Sequence, residues 1–366
     1  MHDKVSRSSG IAAAVRPRIL LSSQTLAAGN GGICAVARMT AMALSDIGEV
    51  RALACQDDED ARIGTVPIRA FHSRRLPFAL ANFLETRRAT HVIYDFAGTA
   101  RAHPNFPFLR RPYAVWLHGW EVWHNPPRKY LAAIERAALV LANSAYTRDR
   151  AREVLPTSAA VTVCALGTAV DAPPPTVGPS DGPPTVMLLG RADELFAKGH
   201  DILIEVWPNV VSAVPGARLL LVGGGPCLGR VTALAANSPV RQSIEIVGFI
   251  PDGQLEPYWQ RASVFAMLGF AEGFGIVYAD AMRHGLPVVA STDDAGQEVN
   301  VDGVTGFNVA RSDKKRLVEI LVTLLRERDY ARSLGAAGHA RWHRHYSFSA
   351  FRQRLLAAAS EFLSPS

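Results

Sequence analysis

RILLSSQTLAAGNGGICAVARMTAMALSDIG, residues 18–48, begins with an apolar run, passes through a glycine-rich turn at 29–32 and continues with apolar residues at helical spacing. The short apolar run predicts a buried strand, and the longer run after the glycines predicts a helix. Glycines at this junction let a ligand approach the backbone, and the free N–H groups at the start of a helix bind anions. The stretch therefore predicts a βα unit with a ligand site at its turn.

The same alternation continues along the chain and predicts an α/β fold. Further strands are predicted at 50–55, 91–96, 113–119, 139–144 and 160–167, and then at 185–190, 217–225, 243–250, 263–269 and 286–291. Buried strands that alternate with helices form parallel sheets covered by helices. The stretch 167–184, dense in proline and glycine, has the composition of a linker. We therefore expect two doubly wound, Rossmann-like domains that face a central cleft: an N-terminal domain over 1–170, a linker over 171–184, a C-terminal domain over 185–345, and a final amphipathic helix within 346–366.

The composition is that of a soluble globular protein with two domains of ordinary size. Of the 366 residues, 48% are hydrophobic and 20% are charged. No apolar run approaches the ~18 residues of a membrane span, and the N-terminus does not read as a signal peptide. The four cysteines, at positions 34, 55, 164 and 227, have no paired spacing, which favours reduced thiols and a cytoplasmic protein.

Positive charge is concentrated in the N-terminal half. Residues 1–172 hold 21 Lys and Arg against 14 Asp and Glu, whereas residues 173–366 hold 18 against 19. Arginine pairs at 74–75 and 87–88 bracket LPFALANFLET, whose apolar residues recur at helical spacing. A basic amphipathic helix binds an anionic membrane surface. The alternative is a solvated helix with arginines at its ends.

Three polar side chains follow predicted strands. Arg191 and Lys198 flank the loop in GRADELFAKGHD, a placement that suits two cations clamping a phosphate, although isolated surface charges are the alternative. His118 ends the fourth strand in WLHGWEVW and is expected either to reach a cleft or to pack among the tryptophans.

EGFGIVYAD, residues 272–280, combines two carboxylates with a bare turn. A helix that begins near Ile276 directs its N-terminal N–H groups at an anion such as a diphosphate. Asp280 lies about one turn into that helix, where it can accept hydrogen bonds from a ribose diol, and Glu272 can accept them from a sugar hydroxyl. An anion and two diols together indicate a nucleotide sugar.

Three other patterns in the sequence argue against a nicotinamide cofactor, a metal site and a functional acidic cluster. The turn at 29–33 is not GxGxxG and no acidic residue ends the second strand, which argues against a nicotinamide cofactor. Three histidines at 339, 343 and 345 have arginine neighbours and no nearby carboxylate, so a metal is not expected there. The acidic run at 57–60 is expected to be solvated.

In this order, GNGGI, HGWE, GRADELFAKG and EGFGIVYAD resemble the motifs of retaining glycosyltransferases of the GT-B fold, specifically the family 4 group. TDDAGQEVNVDGVTGFNV, at 292–309, is similar to the segment that follows the last motif in that family. The resemblance extends from about residue 18 to 350. It implies that the final helix crosses back to the N-terminal domain.

The resemblance also implies roles for individual residues. Gly31 and Gly32 would approach the donor diphosphate and sugar, His118 would bind the sugar, and Arg191 and Lys198 would neutralise the leaving diphosphate. Glu272 would hold sugar hydroxyls, and backbone amides near the sugar and phosphates would come from Phe274, Gly275 and Ile276. Base contacts are expected near Gly248 and Phe249. The second acid of the motif is usually glutamate, so the shorter Asp280 leaves open whether it contacts ribose directly or through a water.

From the resemblance we expect transfer of a sugar from a UDP- or GDP-sugar to an acceptor hydroxyl with retention. The acceptor is expected to be a lipid-linked or polyprenyl-linked glycan or an envelope polysaccharide precursor, with peripheral contact at an anionic inner membrane face. Neither a cofactor, a metal nor a nucleic acid is expected. A nicotinamide dehydrogenase, a nucleotide-sugar epimerase and a non-catalytic sugar-binding protein remain as alternatives.

Overall fold

The computed structural model describes residues 16–106, 111–123, 125–156, 160–193 and 196–364. Within these residues the strands form two separate sheets, one of eight strands and one of six. Each sheet is covered by helices on both sides, as parallel strands buried on both faces require. The prediction of two doubly wound, Rossmann-like α/β domains is confirmed.

The N-terminal sheet has the order β3-β4-β2-β1-β5-β6-β7-β8, and only β3 runs antiparallel to its neighbour. Its strands are β1 Arg18–Ser23, β2 Glu49–Ala54, β3 Ala61–Ile63, β4 Val66–Ala70, β5 His91–Tyr94, β6 Tyr113–Leu117, β7 Leu139–Ala142 and β8 Val161–Val163. Because β1 lies between β2 and β5, its carboxyl end opens at the point where the strand order reverses.

The C-terminal sheet is parallel throughout, in the order β11-β10-β9-β12-β13-β14. Its strands are β9 Thr185–Leu189, β10 Arg218–Val222, β11 Ile244–Gly248, β12 Val264–Met267, β13 Val288–Ser291 and β14 Gly306–Val309. This is the strand order of a dinucleotide-binding fold, and β9 and β12 border its switch point.

Helices connect the strands of both sheets. They are α1 Gly32–Ser45, α2 Arg75–Arg88, α3 Ala97–Ala100, α4 Trp120–Trp123, α5 Arg128–Glu135, α6 Ala145–Arg152, α7 His200–Ala213, α8 Leu228–Ala236, α9 Glu256–Trp259, α10 Ile276–Arg283, α11 Gly296–Val299, α12 Lys314–Arg326, α13 Arg328–His345 and α14 Phe348–Ala358. Among the described residues, none of these helices combines the length and apolar composition that a bilayer crossing requires.

The last helix, α14, returns to the N-terminal domain. Phe351 is fully buried and its ring lies parallel to that of Trp116 in β6, with 6.4 Å between ring centroids. Arg352 forms an ion pair with Asp46, at the end of α1, with 2.6 Å between Nε and Oδ2. The chain therefore crosses between the domains twice, once through the proline-rich segment and once before α14.

Sequence patterns missed three strands and misplaced one side chain. The short β3, β4 and β14 lack the long apolar runs by which the other strands were predicted; β4, for example, alternates buried and exposed residues. The expectation that the acidic run at 57–60 is solvated is wrong for Asp57, which is buried. Its carboxylate accepts hydrogen bonds from the Thr25 hydroxyl and the Leu26 amide, and so it anchors the loop after β1.

Candidate functional site

Lys198 and Glu272 meet at the carboxyl edge of the C-terminal sheet. Lys198 ends the loop that follows β9, Glu272 lies in the loop after β12, and their side chains form an ion pair. The lysine side chain lies against Gly190, where a Cβ would be 3.0 Å from Lys198 Cγ. The two side chains are 24% and 13% exposed, so the pair is largely shielded but faces the cleft. Burial lowers the pKa of Lys198, and the negative charges of Asp294 and Asp193 oppose that shift.

Helix α10 begins directly after this pair. Gly275 precedes it with φ of 81°, in the left-handed region that favours glycine. The side chain of Phe274 is buried and packs edge-on against Tyr346, so only the backbone of residue 274 faces the cleft side of the turn. The first turn of α10 has no acidic residue. This leaves the positive end of the helix available to an anion.

Asp280 lies in the second turn of α10 and is partly buried. Burial raises the pKa of its carboxyl to about 7, an effect that Arg283 opposes and Asp252 adds to. Its backbone carbonyl accepts a hydrogen bond from His284 Nδ1 at 2.7 Å. The carboxyl therefore changes charge near neutral pH.

His118 directly follows β6, on the opposite wall of the cleft. Its Nε2 lies 2.6 Å from the Asp95 carbonyl oxygen. Because a carbonyl only accepts, Nε2 carries the proton, and in the neutral ring Nδ1 is left as an acceptor. The His118 amide donates to the Glu121 carboxylate, which fixes the backbone at this strand end.

The two domains touch where His118 faces the loop that carries Glu272. A Cβ placed on Gly273 would lie only 1.6 Å from the His118 carbonyl oxygen, so the two backbones are in direct contact. The Thr147 hydroxyl of α6 also donates to the Gly273 carbonyl, at 3.3 Å. The structure thus brings the backbone of His118 against the loop that carries Glu272.

Glu298 adds a second contact between the domains. It lies in α11 of the C-terminal domain, and its carboxylate accepts hydrogen bonds from the amides of Ala145 and Tyr146 at the start of α6. The Arg341 side chain in α13 donates a hydrogen bond to the Glu298 carbonyl and so fixes the backbone of this residue. The sequence singled out Glu298 only as part of a motif, because a partner 153 residues away leaves no local pattern.

The glycine turn after β1 closes the site from the N-terminal domain. Gly31 has φ of 88° and precedes α1, and apart from their chain neighbours no atom of the described residues lies within 4 Å of a Cβ placed on Gly31 or Gly32. Asp95 is buried and accepts hydrogen bonds from the Ser23 hydroxyl and the Gln24 amide, which fixes the chain that leads into this turn. Open space beside a fixed backbone suits a bound ligand.

The remaining predicted residues border the cleft at the ends of β9 and β11. Arg191 is exposed directly after β9. Gly248 has φ of 81°, and the neighbouring Phe249 is 64% exposed. A Cβ placed on Gly29 of the N-terminal turn would lie 3.9 Å from the Phe249 ring. Phe249 therefore reaches from one domain to the glycine turn of the other.

Comparisons with known proteins identify the family of this chain. Residues 183–327 match the family model described as glycosyl transferases group 1. The GDP-mannose-dependent alpha-(1-6)-phosphatidylinositol monomannoside mannosyltransferase of Mycolicibacterium smegmatis is 33% identical over 269 residues, which cover 68% of each chain. The chain belongs to the group 1 glycosyltransferases.

Other relatives of this group 1 chain match over shorter lengths. The enzyme of the same description from Mycobacterium tuberculosis is 34% identical over 162 residues, and the match spans 42% of its length. Solved structures share the fold. Anabaena Alr3699/HepE in complex with UDP and glucose superposes with a TM-score of 0.79 at 17% identity, covering 94% of this chain and 100% of that one. Sucrose-phosphate synthase from Thermosynechococcus elongatus gives 0.81 at 19% identity, covering 96% and 100%. The predicted GT-B fold is confirmed.

Proposed function

We propose that this protein transfers a sugar from a nucleotide-sugar donor to a hydroxyl of a lipid-linked acceptor, with retention at the anomeric carbon. The observation that carries the proposal is the Lys198–Glu272 ion pair at the start of α10, on the carboxyl edge of a dinucleotide-binding sheet. A cation, a carboxylate and a helix N-terminus side by side match the groups of a diphosphate-linked sugar.

In the proposed mechanism the protein stabilises the charge that develops on the leaving diphosphate. Lys198, Arg191 and the first amides of α10 supply positive charge, while Glu272 orients the sugar hydroxyls. The backbone near Gly31 and Gly32 admits the donor from the other wall. The diphosphate leaves from the face that the acceptor approaches and takes the acceptor proton, so no protein nucleophile is needed. Asp280 accepts from the ribose, and the backbone near Gly248 and Phe249 borders the base.

The relatives suggest which substrates to test first. Two relatives, from Mycobacterium tuberculosis and Mycolicibacterium smegmatis, are described as GDP-mannose-dependent alpha-(1-6)-phosphatidylinositol monomannoside mannosyltransferases. We therefore propose GDP-mannose as the donor and an inositol phospholipid glycan as the acceptor.

The decisive experiment assays the full chain with GDP-mannose and UDP-glucose in the presence of lipid extract, with Glu272→Gln as the test variant. We expect transfer to fall by about 100-fold or more, because a positioned charge at the reacting sugar is lost. Glu205→Gln is the matched control, since Glu205 forms an exposed ion pair with Lys314 on α7 and α12. Near-normal transfer by Glu272→Gln would refute the assignment, and release of an altered sugar nucleotide without acceptor would indicate an epimerase.

We also propose that α2 rests on an anionic membrane. Leu76, Leu80 and Leu84 recur every fourth residue and are 85%, 61% and 45% exposed, so they form one apolar ridge. The exposed arginines 74, 75, 87 and 88 lie at its two ends. An exposed apolar ridge with cations at both ends fits the boundary between acyl chains and anionic headgroups.

The membrane proposal is tested by co-sedimentation with phosphatidylglycerol vesicles and with neutral phosphatidylcholine vesicles. Burying a leucine gains roughly 1.5–3 kcal/mol, so Leu76→Ser with Leu80→Ser should weaken binding by at least about tenfold. Leu234→Ser is the control, because Leu234 is 40% exposed on the other domain. Equal binding by the wild type and the double variant would contradict the proposal.

A further inference from the structure

A third carboxylate, Asp294, lies behind the Lys198–Glu272 pair. It follows β13 in the loop that leads to α11, and it is fully buried. Its Oδ1 accepts a hydrogen bond from the Gly296 amide at 2.9 Å, and its Oδ2 accepts one from the Glu272 amide at 3.3 Å. The Ala295 amide in turn donates to the Glu272 carbonyl at 3.2 Å. The backbone of Glu272 is thus held on both sides by the loop of Asp294.

The surrounding backbone leaves room for this carboxylate. A Cβ on Gly269 would lie 2.2 Å from Asp294 Oδ2, and one on Gly296 would lie 3.0 Å from Oδ1. Any larger residue at 269 would displace the carboxylate from the Glu272 amide. Because both positions are glycine, the space between them accommodates the Asp294 carboxylate.

The charges that face Asp294 come from three directions. Lys198 lies on the loop after β9, Arg311 lies beyond β14, and Asp293 is its neighbour in the chain. Burial raises the pKa of Asp294 to about 7; the hydrogen bond from Gly296 and the charge of Lys198 oppose that shift. A buried carboxylate of this kind is costly unless it is compensated, and here the amides of Gly296 and Glu272 and the positive charge of Lys198 compensate it.

We infer that Asp294 is a positioning residue, which holds the Glu272 backbone so that the Lys198–Glu272 pair meets the donor in one fixed geometry. The inference rests on the proposed function for its catalytic consequence. It does not rest on it for the hydrogen bond from the Glu272 amide to Asp294, which exists without a donor.

The test uses Asp294→Asn, which keeps the shape and removes the charge. Asp293→Asn is the matched control, because Asp293 is the exposed neighbour. The first measurement is the pH dependence of Lys198 acetylation by acetic anhydride in the donor-free protein, read by mass spectrometry. Because the Asp294 charge raises the pKa of Lys198, we expect labelling of Lys198 to move to lower pH in Asp294→Asn and to stay unchanged in Asp293→Asn. An unchanged labelling profile in Asp294→Asn overturns the inference.

The second measurement is the split between kcat and the donor KM. A loss of positioning should lower kcat by about tenfold or more, with a smaller change in KM. A labelling shift with unchanged kcat in an active enzyme also overturns the inference. If the wild-type protein turns over neither donor but Asp294→Asn still shifts the labelling of Lys198, the proposed function has failed and the structural role of Asp294 is supported. If Asp294→Asn does not fold, Gly269→Ala displaces the same carboxylate without removing its charge and should change Lys198 labelling in the same direction.

Discussion

Gly273→Ala offers a direct test of whether the contact between the two domains is required for turnover. The new methyl group would lie 1.6 Å from the His118 carbonyl oxygen, whereas ordinary van der Waals contact begins at 3.4 Å. The two loops must therefore separate by roughly the difference, about 1.8 Å. Misplacing a catalytic group by 1 Å costs about 100-fold in rate. We expect kcat/KM for sugar transfer to fall by at least about 100-fold.

The same substitution should leave each domain folded. Gly273 does not have a left-handed φ, so alanine is conformationally allowed there. The three atoms nearest to the new methyl group belong to His118 and Asn143 of the other domain, so the strain falls on the contact between the domains. The free energy of unfolding of each domain should change by less than about 1 kcal/mol.

The assay is transfer from GDP-mannose, with small-angle scattering of the donor-free protein to detect a wider cleft. Gly253→Ala is the control, because a Cβ on Gly253 meets no atom within 4 Å. Activity of Gly273→Ala within about threefold of wild type, with an unchanged scattering curve, would refute the reasoning, because the closed contact would then be irrelevant to turnover.

Three further predictions concern the walls of the cleft. Glu298→Gln weakens charge-assisted hydrogen bonds to the start of α6 by about 1 kcal/mol, so the donor KM should rise by roughly fivefold in steady-state assays. Burial raises the pKa of Asp280 to about 7 in the folded protein, whereas an aspartate of the unfolded chain has its ordinary pKa of 3.8. Its contribution to stability is therefore present below pH 4 and lost as the pH rises to about 7, and urea unfolding across this range should show a smaller loss in Asp280→Asn. Arg191→Ala should weaken binding of the nucleoside diphosphate, measured as its Kd by titration. Arg241→Ala, on the exposed turn before β11, is the control and should change this Kd less.

Local patterns predicted most of the fold, because the apolar run of a buried strand and the glycines of the turn after it lie within the same short stretch of sequence. The apolar strands β1 and β9 and the glycine at the start of α10 appear in the sequence within a few residues of where the structure has them. The short strand β4 was missed because alternating burial in five residues gives a weak signal.

Pairings between distant residues could not be predicted in the same way. Lys198 and Glu272 were each singled out, but their ion pair depends on two loops that only the sheet order brings together. Asp57 was expected to be solvated because the run around it is acidic, yet the loop after β1 buries it. The contact of Glu298 with α6 joins two domains, so neither domain's sequence alone contains it.

If the proposed function holds, the hydrogen bond between His118 and the Asp95 carbonyl limits which sugar donors fit beside this histidine. Since Nε2 donates to the Asp95 carbonyl, Nδ1 of the neutral ring can only accept a hydrogen bond. A hydroxyl that meets Nδ1 must therefore donate, and a fluorine in its place offers no hydrogen. We expect a donor fluorinated at that position to be discriminated against more strongly than its small change in size would suggest, so a set of monofluorinated donors would identify which sugar hydroxyl faces the histidine.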